Sequence, residues 1–206
     1  MYIKKFLEYN NLTNEVMSEA DTLDNALTNL DKATKEDKVH LTDVETWARY
    51  AFENGKEYFI TIYENEKPIV CINNYFRGIT VDFLTYNKEE WFRYLSMDYE
   101  KAKQSPEGDY IKYPDNKMFL RQVTLFQEDE LKKITNEMLF KDEGVMNVES
   151  IIEKKIPEFQ VSYEEKETNV NLSHNWIELP RTYDDYEHLL DYKNILKPEY
   201  LNLRLN

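Results

Sequence analysis

Residues 57–76 read EYFITIYENEKPIVCINNYF, and this stretch decides the fold. Residues 57–63 are dense in β-branched and aromatic side chains, which suit a pleated, half-buried surface. The polar run Glu64-Asn65-Glu66-Lys67 predicts a turn, and residues 69–76 a second strand. Pro68 stands at the entry of that strand, where a missing N–H donor does least harm. Cys71 lies inside the apolar run Ile69-Val70-Cys71-Ile72, so a buried, inert thiol is expected.

Downstream, Gly78 breaks the chain and residues 79–86 alternate as a third strand, with Ile79, Val81 and Phe83 on one face. Residues 88–103, with Trp91, Tyr94 and Leu95, predict a helix capped by Asn87. A long irregular loop is expected over 104–116, then a fourth strand over 118–127. Helical spacing of Leu131, Ile134, Met138 and Leu139 predicts a helix over 130–140. Residues 150–156 form a short helix or strand stopped by Pro157, and 159–166 alternate as a strand. Residues 182–194, with Tyr186, Leu189 and Leu190 on one side, predict a last helix before Pro198.

Upstream, residues 22–30 place Leu23, Ala26, Leu27 and Leu30 on one helical face. Thr42-Asp43-Val44-Glu45 has the form of a capping box. Val44, Trp47, Ala48, Ala51 and Phe52 then follow at helical spacing, and Gly55 sits where a left-handed residue would close the helix. Consecutive strands joined by tight turns favour antiparallel pairing. The expectation is one α+β domain over residues 1–206, with an antiparallel meander-like sheet (strands about 57–63, 69–76, 79–86 and 118–127) and helices mainly on one face.

Composition bounds the function. The chain has 206 residues, 41% hydrophobic and 32% charged, with one cysteine, so no intramolecular disulfide forms and a reducing, cytoplasmic setting is expected. No apolar stretch approaches the ~20 residues of a membrane-spanning helix. The net charge of −14 argues against direct nucleic-acid binding and against anionic membranes, and favours a basic protein partner. The acidic excess lies in the two flanks, while the centre is nearly balanced.

Local catalytic signatures are missing. The four glycines are far apart, which excludes the phosphate-cradling and dinucleotide motifs. No zinc, nucleophile-elbow or calcium-loop pattern occurs, so no catalytic residue, metal or cofactor is expected. His174 and His188, with neighbouring acids, are the residues from which a dispersed hydrolase site could be built.

The acidic features carry more. On a helix over 182–194, Asp184, Glu187 and Asp191 would share a face, with Asp185 beside them in the first turn. Glu164, Glu165 and Glu167 form a second cluster, and Trp176 and Tyr183 lie close in sequence. Carboxylates with aromatic neighbours suit a basic site on a partner; a solvated face is the plainer reading. The helix holding Trp47, Ala48 and Phe52, leading into EYFITIYENEKPIVCI, resembles in build the bacterial immunity proteins that neutralise polymorphic toxins. That resemblance implies an inhibitor of a basic toxin such as a nuclease. A phage-encoded antagonist of a host nucleic-acid-targeting defence protein, a hydrolase and a scaffold protein remain alternatives.

Overall fold

The structure is a computed structural model that describes residues 2–10, 13, 15–30, 33–84, 94–105, 107–128, 132–141, 143–154 and 160–196. In chain order the elements are β1 (Tyr2–Lys5), β2 (Tyr9–Asn10), β3 (Glu15–Val16), α1 (Glu19–Thr28), α2 (Lys35–His40), α3 (Val44–Glu53), β4 (Tyr58–Glu64), β5 (Lys67–Tyr75), β6 (Gly78–Phe83), β7 (Tyr94–Glu100), β8 (Ala102–Gln104), β9 (Tyr110–Lys112), β10 (Lys117–Glu128), β11 (Lys132–Lys141), β12 (Val145–Lys154), β13 (Gln160–Asn169), β14 (Trp176–Glu178) and α4 (Tyr192–Ile195). The fold is α+β. One large antiparallel sheet runs β1-β4-β5-β6-β7-β10-β11-β12-β13, with β14 paired to β10.

The deciding hairpin forms as expected. Asn65 and Glu66 both take positive φ, 49° and 64°, the pairing that matches strand twist in a two-residue turn. The register slips between Ile62 and Tyr63, opposite Pro68, so the proline sits at a bulge and costs no regular ladder bond.

α1 starts at Ser18, whose hydroxyl accepts from the Asp21 amide. The expected capping box at Thr42 and Glu45 is corrected: Asp43 is the cap of α3, accepting from the Thr46 amide at 2.8 Å. Asp reaches the free amides of the first turn one residue closer to the apolar stripe. The reciprocal box occurs instead at α2, between Thr34 and Asp37. Gly55 closes α3 at φ +63°, with Lys56 N–H donating to the Ala51 carbonyl at 2.8 Å and Gly55 N–H to Phe52 at 3.4 Å.

Three expected helices are not helices. Residues 94–104 form β7 and β8, while Asn87 and Trp91 lie outside the described residues, as do Thr85 and Tyr86 of the third strand. The loop expected over 104–116 contains β9, which pairs with β8. Residues 132–140 belong to β11, with Glu130 and Leu131 outside the described residues. Residues 182–194 hold only a 3-10 turn at Glu187–Leu189 and the start of α4. The segment 150–156 resolves as strand up to Lys154, and the strand expected over 159–166 is β13; Ile156, Pro157, Phe159 and Pro198 lie outside the described residues.

One row of side chains crosses the sheet: Ile60, Ile72, Val81, Met97, Val123, Met138 and Val148, all buried. Burying each is worth roughly 1.5–3 kcal/mol of transfer free energy. The row ends at Lys166 on β13, where the apolar face meets solvent. The C-terminal turns cover the row's first strands. Tyr186 reaches the Tyr58 hydroxyl at 2.6 Å, and the Tyr192 ring packs on Phe83 at 4.9 Å. No helix among the described residues is long and apolar enough to cross a membrane.

Candidate functional site

Antiparallel register puts residues directly opposite one another with Cβ atoms about 5 Å apart. Glu137 of β11 faces Glu149 of β12, and Glu149 faces Glu165 of β13. Three carboxylates therefore stand in one rung across three strands, on the side opposite the buried Met138 and Val148. The next row towards the strand ends contains Leu139, Asn147 and Glu167, with Lys141 at 3.7 Å from Glu167. The row on the other flank contains Thr135, Ile151 and Tyr163. Tyr163 is 76% exposed and Val161, two residues along the same face, is 42% exposed. Glu164 points to the opposite face, at the position of Ser150. Of the expected residues, Glu165 and Glu167 thus join an acidic surface bordered by an exposed aromatic ring.

Asp184, Asp185, Glu187 and Asp191 do not share a helical face, because the segment carrying them is not one helix. Its path is set by Tyr186 and Leu189, which are buried, with Tyr186 locked to Tyr58. The Asp184 carbonyl accepts from Lys4 Nζ at 2.9 Å, and Glu187 pairs with the same ammonium at 3.1 Å. These two tie the C-terminal turns to β1. Asp191 caps α4 through Asn194. Tyr183 packs on Phe6 and under the Arg49 guanidinium, and its hydroxyl donates to Glu45 at 2.9 Å. That bond, to a carboxylate, pushes the phenol up from its ordinary value.

A second feature is a cleft of about 520 Å³ lined by His174, Trp176, Glu178, Arg181, Asp185 and His188. Trp176 is 37% exposed, its ring held by Tyr113 and Phe119 at 4.9 Å each. Arg181 binds Glu178 at 2.9 Å, and its amide donates to Asp185 at 3.2 Å. His188 Nε2 lies 3.0 Å from the Glu178 carbonyl oxygen. A carbonyl only accepts, so the neutral ring donates from Nε2 and keeps its lone pair on Nδ1. The two histidines, fourteen positions apart in sequence, meet at one cleft because β14 and the C-terminal turns lie side by side. Among the described residues no group of three His, Cys, Asp or Glu side chains is placed to hold a metal ion.

Cys71 is buried, which pushes its thiol up to about 12. Glu137 and Glu149 were missed in the sequence, since their meeting depends on β11 being a strand and on its register. No family model matches the chain, and no similar curated protein or solved structure is found.

Proposed function

We propose that the chain is an acidic binding protein that neutralises a basic partner, an inhibitor of the immunity or antitoxin type whose target is a toxin such as a nuclease. It acts by occupancy, without catalysis, in the cytoplasm. The observation that carries this reading is the rung Glu137–Glu149–Glu165 beside the exposed Tyr163. Like charges placed directly opposite one another weaken a sheet. A basic groove built for phosphates would turn that cost into attraction and steer the encounter. Tyr163 would supply the apolar anchor that such interfaces concentrate.

The test is capture at low salt from the native host, with the wild-type chain and with the triple variant Glu137→Lys, Glu149→Lys, Glu165→Lys. The expected result is a basic protein whose toxic or nuclease activity is suppressed by equimolar wild-type chain and not by the variant. Suppression untouched by the charge reversals, or a captured partner that is not basic, overturns the reading. The identity of the captured protein separates a co-encoded toxin from a host defence protein.

A second reading, a hydrolase, is favoured by the meeting of His174 and His188 with Asp185 at one cleft. It requires that turnover of ester or phosphodiester substrates be lost in His188→Ala and His174→Ala while the fold is retained.

A further inference from the structure

The two edges of the large sheet differ. β1 is four residues long and carries Lys4 and Lys5, with Lys4 engaged by the C-terminal turns. Short length and lysines are the usual guards of an edge. β13 at the other edge runs ten residues in unbroken register with β12, from Lys154↔Gln160 to Val145↔Asn169. It contains no proline and no bulge, and every residue but Thr168 is exposed. Its outer side pairs with no described strand, so among the described residues no ladder partner takes its outward N–H and C=O groups.

The geometry points to β13 as the docking edge for an extended, basic segment of the partner, which adds to the sheet as a further strand. This rests on the reading of the chain as a binder of a basic partner, and it specifies the grip. Backbone pairing supplies affinity in such additions, and alternate side chains supply selectivity. On one face of β13 the incoming strand meets Val161, Tyr163, Glu165 and Glu167 in succession. A matching antiparallel segment carries Lys or Arg opposite Glu167 and Glu165, and apolar residues opposite Tyr163 and Val161. Glu164 presents a further carboxylate on the reverse face.

A second copy of the chain fits poorly. Antiparallel self-pairing with Glu165 opposite itself would extend the rung to six glutamates in line; a one-step shift sets Glu164 against Glu165 in one direction and Glu164 against Glu167 in the other, where Glu165 also meets Lys166. Each arrangement stacks at least one pair of like charges at neighbouring-strand distance.

The probe is a synthetic ten-residue peptide with Lys opposite Glu165 and Glu167 and Val opposite Tyr163 and Val161, followed by fluorescence anisotropy at low salt. Two N-methylated forms keep every side chain and charge. One is methylated on the odd backbone nitrogens, the other on the even. Alternate amides of a strand point to opposite sides, so only one set faces β13. The expected result is that one form binds like the parent while the other is weakened at least about tenfold, several backbone bonds being lost together. Equal binding of both forms overturns strand addition and leaves the basic-partner reading standing. Absence of parent-peptide binding to a chain that still binds its captured partner does the same. Parent-peptide binding unchanged in a chain carrying Glu164→Lys, Glu165→Lys and Glu167→Lys overturns the choice of a basic segment, and with it the electrostatic basis of the proposed function.

Discussion

Lys101 follows β7 and turns inward. Its ammonium donates to Asn74 Oδ1 and to the Tyr75 carbonyl at 2.8 Å. Burial, and secondarily the charge of Lys112, pull the amine down to about 8 from its ordinary 10.5. The unfolded chain therefore binds more protons than the folded one between those values, and stability rises with pH through the window. Cys71 acts in the opposite sense: its thiol is raised from 9.0 to about 12, so stability is lost as pH climbs above 9. The net gain is confined to about pH 8 to 9 even in a Cys71→Ala background, because the buried phenols, Tyr50, Tyr58, Tyr94, Tyr99 and Tyr186 among them, are also raised from their ordinary 10 and lose stability as pH climbs towards that value. Urea midpoints taken across that range should rise by an amount of order 1 kcal/mol in free energy, and the rise should vanish in Lys101→Met. A flat profile in the Cys71→Ala background would show that the amine keeps its proton. Nothing in the sequence marks this lysine, since its partners come from β5, a strand distant in the chain. Asp37 is a parallel case. Burial alone would raise its pKa, yet hydrogen bonds from Thr34, Lys56 and Tyr50 hold the carboxyl well below the usual range.

The rung gives a prediction at the scale of the strand. Glu149 has a carboxylate on each side, Glu137 on β11 and Glu165 on β13. Glu149→Gln removes two like-charge contacts and should raise thermal stability by roughly 0.5 kcal/mol, while weakening capture of the basic partner. A variant that lost stability in thermal unfolding would mean that the rung is not repulsive. The same strands show where the sequence was legible and where it was not. The β4–β5 hairpin and α3 could be read because turn residues and apolar period agree, although the cap of α3 lies one residue on from the one expected, at Asp43. β11 could not, because Asn136 occupies a core position between Ile134 and Met138 and breaks the alternation. Asn136 is buried there by accepting from Ser150 at 2.7 Å, a partner fourteen residues on. Without that long-range bond, Leu131, Ile134, Met138 and Leu139 read as a helix. Residues 182–194 misled for the converse reason. Tyr186 and Leu189 are core anchors of irregular chain, and their three-residue spacing imitates a helical face. The acidic character of both flanks was legible, but which carboxylates align depends on register, and register is tertiary.

For the molecule as a whole, charge should act on folding and on the proposed binding with opposite sign. A net charge of −14 on 206 residues repels itself in the compact state. Raising ionic strength from about 0.01 M to about 0.1 M shortens the Debye length from roughly 30 Å to roughly 10 Å. Screening over that range relieves self-repulsion, so the urea midpoint of the free chain should rise. The same screening weakens attraction between the β11–β13 face and a basic partner, so the association rate should fall steeply while dissociation changes little. Stability and affinity should therefore move in opposite directions along one salt series. An interface built on Tyr163 and Val161 alone would keep its affinity as stability rises. A protein whose carboxylates serve only solubility would show the stability gain with no partner whose binding depends on salt. Repeating the series with the triple variant Glu137→Lys, Glu149→Lys, Glu165→Lys removes repulsion and attraction at the same place. If the rung is the interface, that variant loses the salt dependence of binding along with the binding itself, and its unfolding midpoint becomes less sensitive to salt than that of the wild type.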